Sequence, residues 1–595
     1  MTAMNDVREG SHRWFPREIL IVLALVTIVY TLFLPKSFFE FDETLFARAV
    51  LDYEPWKHHP PPPGYPLFIA VAGSLNVLVG DPFITLVALS LVASLAGLIL
   101  LAHAFAAMTG SLRAGAFGAA LFYLSPVMLI HGTLPISEPP ALALLSLALL
   151  LFARAEARTD VPARALVFGI AAGLAIGCRP QFSIFVLPLL LGTLVALRTW
   201  RARSAAVGGF AAGCLLWFVP FVVILGGLGR FFEFELGQAA YYATHDAGIS
   251  RGGWTLPRIA ARFVVRPWGP LWLALPVWLL TLPGVVHLLR TRSRSVLPLI
   301  FAATAYLAFA IATMDPADGA RYAIPSALGV ALCAGAGIFR IARGWRGWTV
   351  FTVITACSLA YTAPLLIDRA SGASPPSRAA AWIRANVPKN AVILYELPLW
   401  PHATWWLSDF RIIKIDEGVP PLAVDSETPI FIYGNGGSHK EHAHIFRWRG
   451  GHAFSKVTRN HYGVVSVVEV PPEDRFLSVR GVYGAERDPD HEWRWIAPEA
   501  EVRLPDVGAE RVALRMALSR TAPEELMPVR IFKNGRLVGT VQIRRGRQTE
   551  AILPVSDGEQ RIGFECESSF IPADASGGRG DPRRLCFQLL GVRQE

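Results

Sequence analysis

Residues 39–67 read FEFDETLFARAVLDYEPWKHHPPPPGYPL. Glu40, Asp42, Glu43, Asp52 and Glu54 crowd into this span, and His58, His59 and four consecutive prolines follow. The stretch sits directly behind the first long apolar run, in a chain whose next several hundred residues are largely apolar and poor in acids. Carboxylates held at a membrane face cost free energy unless something pairs or uses them. The segment therefore reads as the working part, and the apolar helices around it as its scaffold.

The chain has 595 residues, of which 53% are hydrophobic, with a mean hydropathy of +0.41. Runs long enough to span a bilayer recur near 19–35, 82–107, 114–131, 138–153, 165–178, 181–197, 205–228, 268–289, 296–314, 322–339 and 348–367. That predicts about eleven transmembrane helices. A further apolar helix at 66–80 is placed along the membrane surface. Arg8, Arg13 and Arg17 precede the first run, which lacks a small-residue cleavage site and reads as a retained anchor.

The basic residues orient these helices. With the N-terminus inside, the inner loops hold Arg113, Arg154, Arg158, Arg164, Arg198, Arg201, Arg203, Arg290, Arg292, Arg294, Arg340, Arg343 and Arg346. Beyond the N-terminal tail, Glu156 and Asp160 are the acids of that side. Asp42, Glu43, Asp81, Glu138, Glu233, Glu235, Asp246, Asp315 and Asp318 fall on the other. The formal charge of +10 is thus a topology signal and does not point to a nucleic-acid partner.

An odd number of spans puts everything after residue 368 outside. Residues 1–18 are then a cytoplasmic tail and 19–368 the transmembrane domain, with a first outer loop at 36–81. Residues 375–472 read as an extracytoplasmic α/β domain, with a helix from Ala379 to Asn386 and strands at 410–415, 429–434 and 462–470. From 475 to 595, short strands separated by turns read as an antiparallel β-sandwich, and Asn534-Gly535 is a type I′ hairpin signal. Cys178, Cys214, Cys333 and Cys357 lie in apolar runs as small core residues, whereas Cys566 and Cys586 in the polar tail are candidates for a disulfide.

Several outward residues carry candidate chemistry. Phe39, Phe46, Ala47 and Val50 are near helical spacing, so Asp42 and Glu43 stand on a short amphipathic helix at the membrane surface. Adjacent helical residues point about 100° apart, so one carboxylate can serve as a general base while the other meets a different partner. A solvated helix end is the plain alternative. His58, His59 and the stiff prolines suit either a preorganised site or a connector. Glu138 either lines the site or simply favours a helix start. Arg179 and Arg321, outward near the apolar boundary, are either phosphate ligands or ordinary partners of snorkelling type or of Asp315 and Asp318. No Walker loop, metal-binding His/Cys spacing or nucleophile elbow occurs.

With these residues in place, the chain resembles the GT-C membrane glycosyltransferases, in the branch of protein O-mannosyltransferases, lipid A aminoarabinose transferases and related galacturonosyl transferases. FDETLFARAV (41–50), HHPPPPGYPLF (58–68), SEPP (137–140), GLAIGCRP (173–180) and ARYAIP (320–325) carry the resemblance over roughly residues 15–470. It implies a GT-C-like fold and an inverting transfer of a sugar from a polyprenyl-phosphate carrier to a lipid, glycan or protein acceptor outside the cytoplasm. A bacterial inner-membrane location goes with it. Asp42 and Glu43 become the catalytic pair. His58, His59, Tyr65, Glu138, Arg179, Arg321 and Tyr322 become substrate-binding residues, His59 standing near where some relatives have a lysine. Metal use stays open: the carboxylates, Asp42 and Glu138 among them, either hold a divalent ion or act alone. The 475–595 sandwich lies outside the family's common core and resembles appended carbohydrate-binding domains. Two rival readings remain: a glycolipid transporter or flippase, and a non-catalytic glycan-binding assembly protein.

Overall fold

The computed structural model describes residues 16–595 apart from 158–160, 247–253, 292–294, 343, 416–427, 437–442, 449–461, 472–476, 488–491, 505, 507–508, 556–557, 559 and 573–582. Arg8, Arg13, Arg158, Asp160, Arg292, Arg294 and Arg343 lie outside the described residues, as does the boundary expected between the two outer domains. The chain forms two compact units, residues 1–374 with 448–460, and residues 375–447 with 461–595.

The first unit is helical: α1 Arg17–Leu32, α2 Phe41–Leu51, α3 Pro66–Val79, α4 Pro82–Thr109, α5 Leu112–Tyr123, α6 Pro126–His131, α7 Glu138–Ala157, α8 Pro162–Cys178 and α9 Ser183–Ala196. After these come α10 Trp200–Leu225, α11 Leu228–Tyr241, α12 Leu256–Ala260, α13 Leu271–Thr291, α14 Val296–Thr313, α15 Gly319–Tyr322, α16 Ile324–Ile341 and α17 Trp345–Ser371. Each apolar run identified in the sequence lies on a helix. Among the described residues, six helices are long and apolar enough to cross a membrane, against about eleven expected from hydropathy and span length. Pro66–Val79, Pro162–Cys178 and Pro180–Ala196 are shorter apolar helices.

The run at 114–131 is two helices, because Pro126 has no N–H to continue the ladder. Other groups take up the freed carbonyls. The Ser125 hydroxyl donates to Phe122 (2.6 Å), and the Tyr30 hydroxyl reaches the carbonyls of Tyr123 and Met128 (2.8 and 3.0 Å). A break in a membrane helix persists only where such partners exist.

Hydrocarbon on both sides removes the hydrophobic drive between helices, so close backbone approach does more of the packing. Helices α8 and α10 show it: a Cβ on Gly169 would stand 2.2 Å from the Ala206 carbonyl, and one on Gly209 would stand 2.2 Å from that of Leu166. Helix α16 is central, with 78% of its apolar window buried, whereas α10 has 17% buried and turns Leu215, Leu216 and Val223 outward. The last residue of the unit's helical part is tied back to its first loop. Ser374 donates its N–H to Ser37 Oγ (2.8 Å) and its hydroxyl to the Phe38 carbonyl (2.6 Å).

The second unit opens with α18 Pro375–Asn386, in the place expected for a helix, and a five-stranded sheet of order β2-β1-β3-β5-β4. Its strands are β1 Val392–Glu396, β2 Arg411–Ile415, β3 Ile430–Asn435, β4 His444–Arg447 and β5 Val464–Glu469. β1 pairs in parallel with β2 and β3, and β5 runs antiparallel to β3 and β4. Helix α19 Trp400–Trp406 and β4 are additions to the predicted elements.

The C-terminal strands β6 Leu477–Arg487, β7 Glu492–Leu504, β8 Arg511–Ala517, β9 Leu526–Lys533, β10 Arg536–Arg544, β11 Gln548–Pro554, β12 Gln560–Cys566 and β13 Gln588–Gln594 form one antiparallel sheet. It wraps a single core that includes Ile496, Val502, Leu514, Met527, Ile543 and Phe587. Asn534 and Gly535 both have positive φ (49° and 79°), as a type I′ turn requires. Cys566 and Cys586 are free thiols, so the expected disulfide is not formed in this structure. They are neighbours all the same: the Cys586 sulfur, then burial, pushes the Cys566 thiol up.

Two predictions follow from packing and burial. Gly169→Leu should lower thermal stability of the purified protein by an amount typical of overpacking, about 1–3 kcal/mol. Gly208→Ala, with nothing within 4 Å of its Cβ, should leave it unchanged. In the second unit, His402 is fully buried with neither ring nitrogen hydrogen-bonded among the described residues, and burial holds its pKa down to about 3. The unfolded chain takes up that proton near the ordinary value, so stability should be lost as pH falls from about 6.5 toward 3. His402→Leu should flatten that slope in pH-dependent unfolding.

Candidate functional site

Four charged residues from distant parts of the chain meet at one set of helix ends. Asp42 stands in the first turn of α2, Glu138 opens α7, Arg179 caps the C-terminus of α8, and Arg321 lies on α15 just before α16. Local sequence makes each end: Arg179 precedes Pro180, which stops α8, and Asp315-Pro316 turns the chain, with Asp315 Oδ1 accepting from the Ala317 N–H (2.8 Å).

Arg321 is the hub. Its Nε donates to Glu138 Oε1 (2.5 Å), and one terminal nitrogen donates to Asp42 Oδ2 (2.9 Å) while lying 3.8 Å from Asp318 Oδ2. Arg179 reaches the same Glu138 oxygen at 3.1 Å, donates to Ser137 Oγ at 3.1 Å and lies over the Tyr65 ring at 5.9 Å. Tyr306, from α14, also bonds Arg179. Burial alone would lower the Arg321 pKa, but Glu138, Asp42 and Asp318 outweigh it and hold it well above the usual value.

Glu138, Arg179 and Arg321 are nearly inaccessible, with side chains 2%, 2% and 5% exposed. Asp42 is 26% exposed, which makes it the open carboxylate of the group. Tyr322, half-buried, faces Asp42, Asp318 and Tyr242.

The two neighbouring acids part company. Glu43 points inward, fully buried, with Oε2 accepting the Phe39 N–H (2.7 Å) and Oε1 without a partner among the described residues. Burial raises its pKa to about 8 despite two backbone hydrogen bonds, and Glu40 beside it is pushed up likewise. Glu43 is thus protonated near neutrality and supports the helix start. His58 and His59 stand on a separate turn: His59 donates its N–H to the Glu54 carbonyl (3.1 Å), and His58 adopts a left-handed φ of 59°. A metal between Asp42 and Glu138 would have to share them with Arg321.

Sequence reasoning missed several members. Ser137 and Tyr306 hold Arg179, and Gln181 bonds Tyr65. His131 is buried close to Arg321 and Asp318, with Nδ1 on the Val127 carbonyl (2.8 Å) and Nε2 without a partner among the described residues. Arg369 donates to the carbonyls of Ile130 (2.6 Å) and Phe33 (3.2 Å) and to Thr133 Oγ1 (3.1 Å), pinning the loop that leads into Glu138. Asp318 was visible as a partner for Arg321, and that pairing is real.

No protein-family model and no curated protein matches the chain. Among solved structures, it is similar to ArnT from Cupriavidus metallidurans bound to undecaprenyl phosphate, with 14% identity and a TM-score of 0.49 over 76% of this chain and 97% of that one. It is also similar to the arabinofuranosyltransferase AftD from Mycobacteria, with 11% identity and a TM-score of 0.44 over 97% of this chain and 58% of that one.

Glu43 is the simplest residue to test. A carboxyl that the fold keeps neutral stabilises fully below about 4.5, and that stability is lost as pH rises through about 8. Glu43→Gln should fold and work like the parent while removing this part of the pH dependence of unfolding. A loss of activity matching that of an Asp42 variant would overturn the division of roles.

Proposed function

We propose that the protein is an inverting membrane glycosyltransferase that moves a sugar from a polyprenyl-phosphate carrier to an acceptor on the outer side of a bacterial inner membrane. The observation that carries this reading is Asp42: an accessible carboxylate hydrogen-bonded to a buried arginine at the membrane boundary. The family resemblance of the surrounding motifs points the same way. So does the arrangement of charge, which gathers at the outward helix ends, as a lipid-borne phosphate requires.

In the reaction, the acceptor hydroxyl oxygen attacks the anomeric carbon from the face opposite the phosphate, and its proton passes to Asp42. The bond from that carbon to the phosphate oxygen breaks, the electron pair leaves with the lipid phosphate, and the configuration inverts. Arg321 orients the base through its 2.9 Å bond. Arg179 and Arg321 bring positive charge toward the departing phosphate, supported by the half-buried Arg262, which lies near Asp318 and over the Trp254 ring at 5.7 Å. Tyr65, Tyr322 and the His58–His59 turn border the entry for the carrier, and Glu138 holds the two guanidiniums in register. The N-terminus is cytoplasmic and residues after 368 are extracytoplasmic in this reading, and the C-terminal sheet is an appended glycan-binding domain.

Purified protein in lipid, given a panel of radiolabelled polyprenyl-phosphate sugars and membrane extract as acceptor, tests the proposal. Asp42→Asn should lose transfer by about 10²–10⁴-fold while remaining folded. Near-normal turnover in that variant would reject Asp42 as the base. No transfer by wild type from any donor would favour a binding or transport role.

A further inference from the structure

Helices α7, α9 and α14 each have one end at the Arg321 cluster: Glu138 opens α7, Arg179 stands just before α9, and α14 runs toward Asp318 and Arg321. Their other halves frame a second feature, roughly 15–25 Å further along at 1.5 Å per residue. There an apolar groove of about 460 Å³ opens, lined by Phe152, Leu191, Val195, Leu297 and Phe301, with Ser295 as its polar residue. Helices α9 and α14 touch at this groove, where a Cβ on Gly192 would stand 2.8 Å from Pro298 Cβ. Leu191, Val195, Leu297 and Phe301 are exposed, so the groove opens to the surroundings of the helices. Its volume is roughly fifteen times the ~30 Å³ share of one water, and apolar walls give water nothing to bond. Hydrocarbon is the filler that fits.

Charge gathers at the mouth of the groove. Arg154 stands two residues beyond Phe152, and Arg198 two beyond Ala196, both of them groove residues. Arg164 lies close enough that its charge, after burial, pushes the Arg154 pKa down. Ala165 packs against Leu197, and Arg203 donates its Nε to the Leu197 carbonyl (2.9 Å), which brings the starts of α8 and α10 to the same place. Residues 154–164 and 198–203 carry six arginines against Glu156 and Asp160, four net positive charges. Trp200, largely exposed between Arg198 and Arg201, marks the depth, since tryptophan at the end of a membrane helix sits at headgroup level.

We propose that this groove binds one anionic glycerophospholipid, with an acyl chain lying between α9 and α14 and the phosphate held by Arg154 and Arg198. The pairing of the two parts identifies the occupant. An apolar groove alone would take any lipid tail, and an arginine cluster alone would attract any anion. Together they select a hydrocarbon chain with a phosphate at one end, whose oxygens a guanidinium fork binds two at a time. Basic clusters between membrane helices hold acidic headgroups in this way. A polyprenyl carrier shares this chemistry, but its phosphate is needed at the other ends of the same helices, beside Arg179 and Arg321. The groove therefore belongs to a lipid of the opposite leaflet, the cytoplasmic one in the orientation proposed above. Such a lipid joins α7, α9 and α14 at their far ends, as the ion cluster joins them at the near ends. The inference requires the helices to be embedded in a bilayer but not the transfer reaction, since its readout is lipid binding.

The test uses the full-length protein, delipidated in detergent and titrated separately with dioleoyl phosphatidylglycerol and dioleoyl phosphatidylcholine, with bound lipid counted by native mass spectrometry. Wild type should hold one phosphatidylglycerol per chain, at least about tenfold more tightly than phosphatidylcholine. Arg154→Gln and Arg198→Gln should each weaken that binding by about fivefold. Val195→Trp, which fills the groove from its exposed rim, should weaken it at least as much. Arg346→Gln removes the same charge from an exposed position in the first turn of α17, a helix that does not line the groove, and should change nothing. Equal binding of the two lipids by wild type would overturn the site. So would unchanged affinity in Arg154→Gln and Arg198→Gln, or an equal loss in all three arginine variants, which would mean general charge attraction only. If polyprenyl phosphate at equal concentration displaces phosphatidylglycerol, and Arg198→Gln abolishes that competition, the groove belongs to the carrier and the proposal is rejected.

Discussion

The membrane part depends on an ion cluster taken almost wholly out of water. Glu138 offers one oxygen to both Arg179 and Arg321, and Arg321 continues to Asp42 and Asp318. An isolated charge at that depth would cost several kcal/mol, and only mutual pairing with good geometry offsets it. The cluster therefore acts as a condition on assembly: the ends of α2, α7, α8 and α15 reach it together or leave a charge uncompensated. A guanidinium suits the hub because it is planar and offers several fixed donors, which one ammonium cannot.

That convergence needs helices set at controlled depth and distance. Small residues provide the distance. Where α8 crosses α10, glycines on both helices let carbonyl oxygens approach to where a side chain would stand. Beyond the break at Pro126, α6 leads into the loop 132–137, and Arg369 ties the Thr133 hydroxyl of that loop and the adjoining Ile130 carbonyl to the Phe33 carbonyl. Scaffold and cluster are coupled in this way, one fixing positions and the other requiring them.

Much of this was legible from residue type alone. Asp42, Glu138, Arg179 and Arg321 stand out because an ion beside apolar runs needs a reason, and the structure brings all four together. The distinction between Asp42 and Glu43 was not legible, since adjacent acids look alike until burial turns one inward. Ser137, His131 and Tyr306 were missed because such residues in apolar runs are ordinary core, and only a contact with Arg179, 127 residues away in the chain, makes Tyr306 part of the group. Hydropathy read 114–131 as one span because the residues around Pro126 are apolar and an average over them does not count its missing N–H. Helix α19, WPHATWW, was missed for a related reason: seven residues with a proline and three tryptophans show no clear helical period.

The two hydrogen bonds at Ser374 give the end of the first unit a mechanical character. Ser374 is fastened to Ser37 and Phe38, four to five residues ahead of Asp42. The chain leaving the membrane part is therefore not a slack leash. Tension applied to the backbone beyond Ser374 is carried first by the short segment that feeds α2, and α17 receives only what those bonds do not hold. A pull on the chain after Ser374 thus reaches the segment on which Asp42 is mounted.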